Sequence, residues 1–265
     1  MKFIAWDTSS KTAALATFEA DTKTKNFLLI QEQNLDVTLT THSEKLLFGI
    51  NQILKNSNLN IQDIDCFGVG LGPGSFTGLR VGITTARTLA NALNKPLIGI
   101  SSLAALARGA IMELSTINLP DLLIATTDAC KGELFALYGK PKDILNCVIP
   151  NQETHHKLWH KDVCEKVLSP QKLIHKIEKK KKQNWLAIGE GRNRYLEHWV
   201  VLSASEMALE TAQKTTLNQI RGKYLAQLVW AAYQAGFIKK ALQVFPRYLR
   251  ASSAELKLKR LSDTA

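Results

Sequence analysis

The chain has 265 residues, 45% of them hydrophobic and 22% charged. That composition excludes a disordered chain, a collagen-like chain and a small disulfide scaffold, and the length suits two domains better than one. The net charge is +11, unevenly spread: 9 basic residues oppose 8 acidic ones up to Ala104, and 25 oppose 15 after it. The four scattered cysteines (Cys66, Cys130, Cys147, Cys164) contain no Cys-x-x-Cys pair and read as reduced, buried thiols. No secretory leader and no run long enough to span a bilayer is expected, which places the protein in the cytoplasm.

Lys2 to Trp6 is a short apolar run ending in Asp7, read as a buried strand with an acid at its end. Ala13–Phe18 and Phe27–Ile30 continue it as a meander. Ser43–Asn56 is a helix with Leu46, Leu47, Ile50, Ile53 and Leu54 as its inner stripe and Ser43 as its N-cap. Ile64–Leu71 is a buried strand. A second helix follows, with an inner stripe of Leu79, Ile83, Ala86, Leu89, Ala90 and Leu93, and Pro96–Ile100 is the next strand. Strands entered through a helix run parallel, so this half is an α/β unit with a mixed sheet.

Ser102–Leu114 is a helix leading onward, and a boundary at 104/105 divides the chain into domains 1–104 and 105–265. Leu122–Thr126, Gly132–Tyr138 and Leu186–Ile188 are strands, and Gly222–Phe237 is a helix. Ile4-Ala-Trp-Asp7 with Lys11 and Ala13–Ala16 is echoed by Ala125-Thr-Thr-Asp128 with Lys131 and Glu133–Ala136. Two copies of one unit explain that echo, although its shortness leaves chance open. The basic excess of the second half gathers in Lys179–Lys182 and in Lys239, Lys240, Arg247, Arg250, Lys257, Lys259 and Arg260. Two explanations stand for it: a solvated surface, or salt-dependent contact with a polyanion.

Gly70-Leu-Gly72-Pro-Gly74-Ser-Phe-Thr-Gly78-Leu-Arg80 joins a strand to a helix, where phosphate loops lie. It fails the phosphate-loop, dinucleotide and nucleophile-elbow spacings, because Pro73, Ser75 and Thr77 stand where glycine is needed and no Lys follows Gly78. The alternative is a tight turn in which Ser75 or Thr77 caps the helix.

Gly72-Pro-Gly-Ser-Phe-Thr-Gly-Leu-Arg-Val-Gly82 resembles the signature of the TsaB (YeaZ) family. So do Asp7-Thr-Ser-Ser10, His42-Ser43, Ser101–Leu106, Asp128–Glu133, Gly189-Glu-Gly-Arg192 and Tyr248-Leu-Arg250. The match is strong over the first 105 residues and loose between about 140 and 220. The resemblance implies two ribonuclease-H-like domains of the actin-like ATPase (ASKHA) superfamily. It also implies a role in making N6-threonylcarbamoyladenosine in tRNA, with a catalytic homologue (TsaD) and an ATPase (TsaE) as partners and a homodimer when alone. ATP is used by that complex; no cofactor of this chain itself is expected. The competing expectation is an ATP hydrolase or metallopeptidase active on its own.

The catalytic homologue holds a metal with a His-x-x-x-His pair, to which Ser102 and Leu106 correspond here. Leucine offers no donor atom, so no metal site is expected there. His156 and His160 stand four apart, and their segment reads as amphipathic surface rather than a ligand pair. Asp7, Ser9, Gly72, Gly74 and Ser75 are weak nucleotide candidates. In actin-like ATPases such an acid helps hold a metal-bound phosphate; otherwise Asp7 caps its own turn. Phe48, Val81, Thr84 and Thr88 face away from the inner stripes of their helices. The resemblance points to those two helices as the surface for self-pairing and for the catalytic homologue.

Overall fold

The computed structural model describes residues 1–36, 42–114, 119–148, 159–179, 184–200 and 215–250. Its first sheet grows from β1 (Lys2–Asp7), whose side chains alternate between two apolar faces. β2 (Thr12–Ala20) and β3 (Phe27–Asp36) add to it antiparallel, with a register shift between Thr17 and Phe18. β4 (Cys66–Gly70) pairs parallel with β1, and β5 (Leu97–Ile100) with β4. The order is β3-β2-β1-β4-β5, the ribonuclease-H-like arrangement.

The second sheet repeats it with one strand fewer. β6 (Leu122–Asp128) and β7 (Leu134–Gly139) are antiparallel, β8 (Cys164–Leu168) adds to β7, and β9 (Trp185–Ile188) lies parallel to β6. The order β8-β7-β6-β9 therefore matches β3-β2-β1-β4. The echo around Asp7 and Asp128 is structural: each ends its sheet's first strand, opposite Ala14 in one and Leu134 in the other.

Helices fill the layers between and outside the sheets. Ile4 and Trp6 of β1 face α1 (His42–Asn56) and α2 (Phe76–Ala92). Phe3 and Ala5 face the opposite way, into one core shared with α3 (Ser102–Leu114), the C-terminal helix and the inner face of sheet 2. α3 is buried almost all round and is rich in alanine, as a helix held between two sheets must be. A short α4 (Pro141–Ile144) follows β7. The outer face of sheet 2 packs on α5 (Pro170–Lys179) and on Trp199 of α7 (Leu196–Val200), with α6 (Glu190–Arg194) just before it.

α8 (Gly222–Gln234) is the C-terminal helix, and it packs on sheet 1 although it belongs to the second half of the sequence. Arg221 anchors its start, reaching Glu32 of β3 at 2.5 Å and Glu113 of α3 at 2.8 Å. Trp230 and Tyr233 of α8 meet Phe3 edge-on at 5.8 and 5.3 Å between ring centroids. Sheet 1 ends with β5 at Ile100 and sheet 2 begins with β6 at Leu122, so 104/105 falls inside α3; the division into 1–104 and 105–265 is kept as a proposal.

Several sequence expectations change. β3 runs to Asp36 rather than Ile30, because an edge strand tolerates the polar Gln31–Asp36 stretch while β2 satisfies its backbone. Leu47, assigned to the inner stripe of α1, is 51% exposed; it lies at the stripe's margin, beyond the reach of sheet 1. Cys66 and Cys147 are buried, but Cys130 is exposed at a turn with φ +59°. α1 begins at His42, and the side chains of His42 and Ser43 lie outside the described residues, as do most of Lys179–Lys182 and all of the segment after Arg250.

α8 can approach sheet 1 closely because Gly68 carries no side chain. A Cβ there would stand 2.5 Å from Val229 Cγ2 and 2.9 Å from Ala5 Cβ. Gly68→Ala should therefore lower unfolding stability by about 1–3 kcal/mol, the usual penalty for overpacking. Urea denaturation checks this, and an unchanged midpoint would mean that α8 sits less tightly than described.

Candidate functional site

The end of β1 carries a buried carboxyl. Asp7 Oδ1 accepts hydrogen bonds from the Ser9 amide at 2.8 Å and the Ser9 hydroxyl at 2.6 Å. Oδ2 accepts one from Ser102 Oγ at 2.5 Å. Ser102 Oγ in turn accepts the Gly72 amide at 3.0 Å, and the Ser102 amide bonds the Gly72 carbonyl at 3.1 Å. Ser102 is thus a hydrogen-bond partner of Asp7. Leu106 is a buried apolar side chain packed in the shared core. This pair of side chains does not fit a metal.

The glycine segment closes over the same turn. A Cβ at Gly70 would overlap the Asp7 carboxylate, and one at Gly74, Gly78 or Gly82 would strike Ser9 or Thr8. These glycines let α2 rest directly on residues 7–9. The Ser75 amide bonds the Ser9 carbonyl at 2.7 Å, Thr8 Oγ1 donates to the Gly78 carbonyl at 2.7 Å, and Trp6 Nε1 donates to the Gly82 carbonyl at 3.0 Å. Ser75 Oγ accepts the Gly78 amide at 3.2 Å and caps α2, as expected. Asp7, Ser9, Gly72, Gly74 and Ser75 are therefore brought together: Ser9 bonds Asp7 and Ser75, Gly72 bonds Ser102, and Gly74 packs against Ser9. Thr8 and Ser9 occupy the space that side chains at positions 74, 78 and 82 would take.

The equivalent turn in the second half is looser. Asp128 Oδ1 accepts the Cys130 amide at 2.8 Å, as Asp7 accepts that of Ser9, and also the Tyr195 hydroxyl at 3.2 Å. Between the two turns lies a cleft of about 470 Å³, lined by Pro73–Phe76, Leu79, Asp128–Lys131, Phe135 and Arg247–Arg250. Arg247 crosses it to pair with the buried Glu165 of β8, whose other oxygen accepts the Ser101 hydroxyl at 3.0 Å. Neither Glu165 nor Arg247 stood out as a pair in the sequence, because 82 residues separate them.

His160 has two carboxylates beside it, Asp143 at 3.8 Å and Asp162 at 3.9 Å. The hairpin-like return of the chain after β7 brings Asp143 there, which spacing alone could not reveal. His156 lies outside the described residues.

On the outer side of α1 and α2 three of the predicted four residues lie at the surface, whereas Val81 packs partly against the core under α2. Phe48 is 67% exposed, Thr84 and Thr88 are exposed and Val81 is half-buried. Leu47 adds a further exposed apolar group that the helical-wheel reading assigned to the core.

Residues 36–258 match the family model described as TsaD: tRNA N6-adenosine threonylcarbamoyltransferase. The chain is 28% identical over 251 residues to the tRNA threonylcarbamoyladenosine biosynthesis protein TsaB of Haemophilus influenzae, covering 94% of each chain. The chain belongs to this family, in its TsaB (YeaZ) group. The Escherichia coli TsaB is likewise 28% identical over 218 residues, covering 80% of this chain and 83% of that protein. The solved YeaZ structure from Pseudomonas aeruginosa superposes with a TM-score of 0.64 at 22% identity, over 93% of this chain and all of that one. That likeness bears on the fold: two α/β halves with mixed sheets flanked by helices. Among the described residues, no helix is long and apolar enough to cross a membrane.

Burial raises the Asp7 carboxyl above its ordinary value of 3.8, although the bonds from Ser102 and Ser9 pull the other way. The folded state thus holds this proton more tightly than the unfolded chain. The stability that follows is full at acid pH and is lost as pH rises through the raised folded value. Asp7→Asn removes that loss, so the variant should gain on the parent as pH rises from about 4 to 8. Asp7→Ala leaves the Ser9 and Ser102 donors without an acceptor and should cost about 1–3 kcal/mol across the range. Denaturant titrations at several pH values check both; Asp7→Asn falling as far as Asp7→Ala at pH 8 would contradict the assignment.

Proposed function

We propose that this chain is a non-catalytic dimerisation and scaffold subunit of the complex that transfers threonylcarbamoyl to N6 of the adenosine next to the tRNA anticodon. It acts there with the catalytic homologue TsaD and the ATPase TsaE. The observation that carries this reading is the contrast between two surfaces of the first half. Of the nucleotide candidates, Asp7 and Ser75 bond Ser9, Asp7 and Gly72 bond Ser102, and Gly74 packs against Ser9. The outer face of α1 and α2 instead presents Leu47, Phe48, Thr84 and Thr88 to solvent. Small side chains on α2 let another helix come close, and an exposed phenylalanine supplies an anchor. Membership of the TsaB group supports the same choice of partners.

Phe48, Val81, Thr84 and Thr88 are proposed as the centre of an interface used in turn by a second copy of this chain and by the catalytic homologue. The two uses exclude one another, which makes the homodimer a resting form. Direct hydrolysis of ATP or peptide by this chain is the competing function, and neither Ser102 nor Leu106 supports the metal it would need.

Burying one phenylalanine contributes roughly 1.5–3 kcal/mol, about ten- to a hundredfold in affinity. Phe48→Glu should cost more, because it places an unpaired charge in the interface. Its circular dichroism should match the parent, since the side chain lies outside the core. Sedimentation of the variant alone and with the catalytic homologue tests the surface: dimerisation and binding at parental strength would place docking elsewhere. Reconstituted tRNA modification with each component omitted in turn tests the role, and full modification without this chain would refute it.

A further inference from the structure

Two long acid-free stretches of the sequence meet on one flank of α2. Cys66 to Met112 contains no Asp or Glu, and neither does Thr215 to Arg250. The chain after α8 crosses sheet 1's edge, where Lys239 pairs with Leu97 of β5 through two backbone bonds of 3.1 and 3.2 Å, and then runs beside α2. Phe76, Arg80 and Arg87 share the flank of α2 that faces it, being spaced at about one and two further helical turns. There the side chains interleave. The Arg80 guanidinium lies 3.9 Å above the Phe76 ring, Arg80 Nε donates to the Tyr248 hydroxyl at 3.2 Å, and the rings of Phe76 and Tyr248 are 5.1 Å apart. Further along, Arg87 lies 4.9 Å from the centroid of Phe245.

The result is a band of cations and rings. Phe245 is 59% exposed, Tyr248 44% and Phe76 42%. Among the described residues no carboxylate pairs with Arg80, Arg87 or Lys240; Glu165 and Glu133 are taken by Arg247 and Arg250. A soluble protein gains nothing from exposing three aromatic rings in a field of uncompensated positive charge. Unpaired nucleotides use both features together: phosphates take the cations, and base faces stack on the rings. The guanidiniums are already held against rings, so less freedom is lost on binding.

We propose that the band formed by Phe76, Arg80, Arg87, Phe245 and Tyr248 binds unpaired nucleotides of the tRNA substrate. This rests on the proposed function for the identity of the RNA, and names a contact that function does not itself supply. The band adjoins the Val81–Thr84–Thr88 face, so a partner docked there would leave it at the rim, where RNA could touch both proteins. Phe76, Tyr248 and Arg250 also line the cleft between the halves, which continues the same surface inward.

The test uses the full chain assembled with the catalytic homologue, with a tRNA anticodon stem-loop and a fully paired RNA duplex of equal nucleotide number as probes. Phe245→Ala and Tyr248→Ala should each weaken stem-loop binding about 5- to 150-fold and leave the paired duplex nearly unchanged. Arg80→Gln and Arg87→Gln should weaken both probes and lower the salt slope by about one each. A photo-activatable phenylalanine analogue at position 245 should crosslink to the stem-loop. Parental affinity in the aromatic variants, or crosslinks at 245 only to the protein partner, would overturn the proposal; the latter assigns the band to protein docking. Neither result touches the scaffold reading, which falls only if modification proceeds without this chain.

Discussion

A carboxyl buried at the end of a strand sets the terms for everything around it. Asp7 sits at the C-terminal end of β1 with no access to solvent, so its oxygens must be met by protein donors. Ser9 meets one from the same turn and Ser102 meets the other from the start of α3. Gly70 has to lack a side chain because the carboxylate occupies the place of its Cβ. Bonds between Ser102 and Gly72 then tie α3 to the strand that leads into α2. One acid thereby fixes the relative positions of β1, β4, α2 and α3.

The position of α2 has consequences on its outer side. Because α2 rests on residues 7–9 without intervening side chains, its exposed surface and that of α1 form a continuous face. That face is where partner docking is proposed, and its far flank is where Arg80 and Arg87 meet the C-terminal segment. The glycines that resemble a nucleotide loop thus act as spacers that seat a helix. The second half shows what the same strand-and-turn unit looks like without this constraint. Asp128 keeps the bond to the amide two residues on, but among the described residues no serine bonds it as Ser102 bonds Asp7, and the turn lines the cleft.

The first half was legible because its signals are local. Runs of apolar residues, the acid after β1 and the glycine segment fix the strand order, and Ser75 announces the cap of α2. The repeat was legible only as a short echo, since the second sheet keeps the topology while replacing the residues. β8 and α5 escaped notice: Cys164–Leu168 is a polar edge strand, and α5 sets Leu173 and Ile177 among exposed Gln171, Lys172, His175, Lys176 and Glu178, so neither shows a plain apolar run. α8 was recognised as a helix, but sequence gives no means of telling which sheet it packs on. The pairing of Glu165 with Arg247 and the stacking of Arg87 on Phe245 join residues remote in sequence, and only the folded chain brings them together. Leu47 was misplaced because a helical wheel assigns direction but not how far a sheet extends beneath it.

We propose that the Asp7 turn and the glycine segment satisfy one another and hold no nucleotide. A ligand that binds only the folded state stabilises it by RT ln(1 + [L]/Kd), so saturating nucleotide must raise the melting temperature of a chain that binds it. Thermal unfolding of the purified chain across a series of millimolar Mg-ATP concentrations is the direct measurement. The account predicts the same melting temperature throughout. A concentration-dependent rise that disappears in Asp7→Asn would contradict it and restore the segment as a phosphate site.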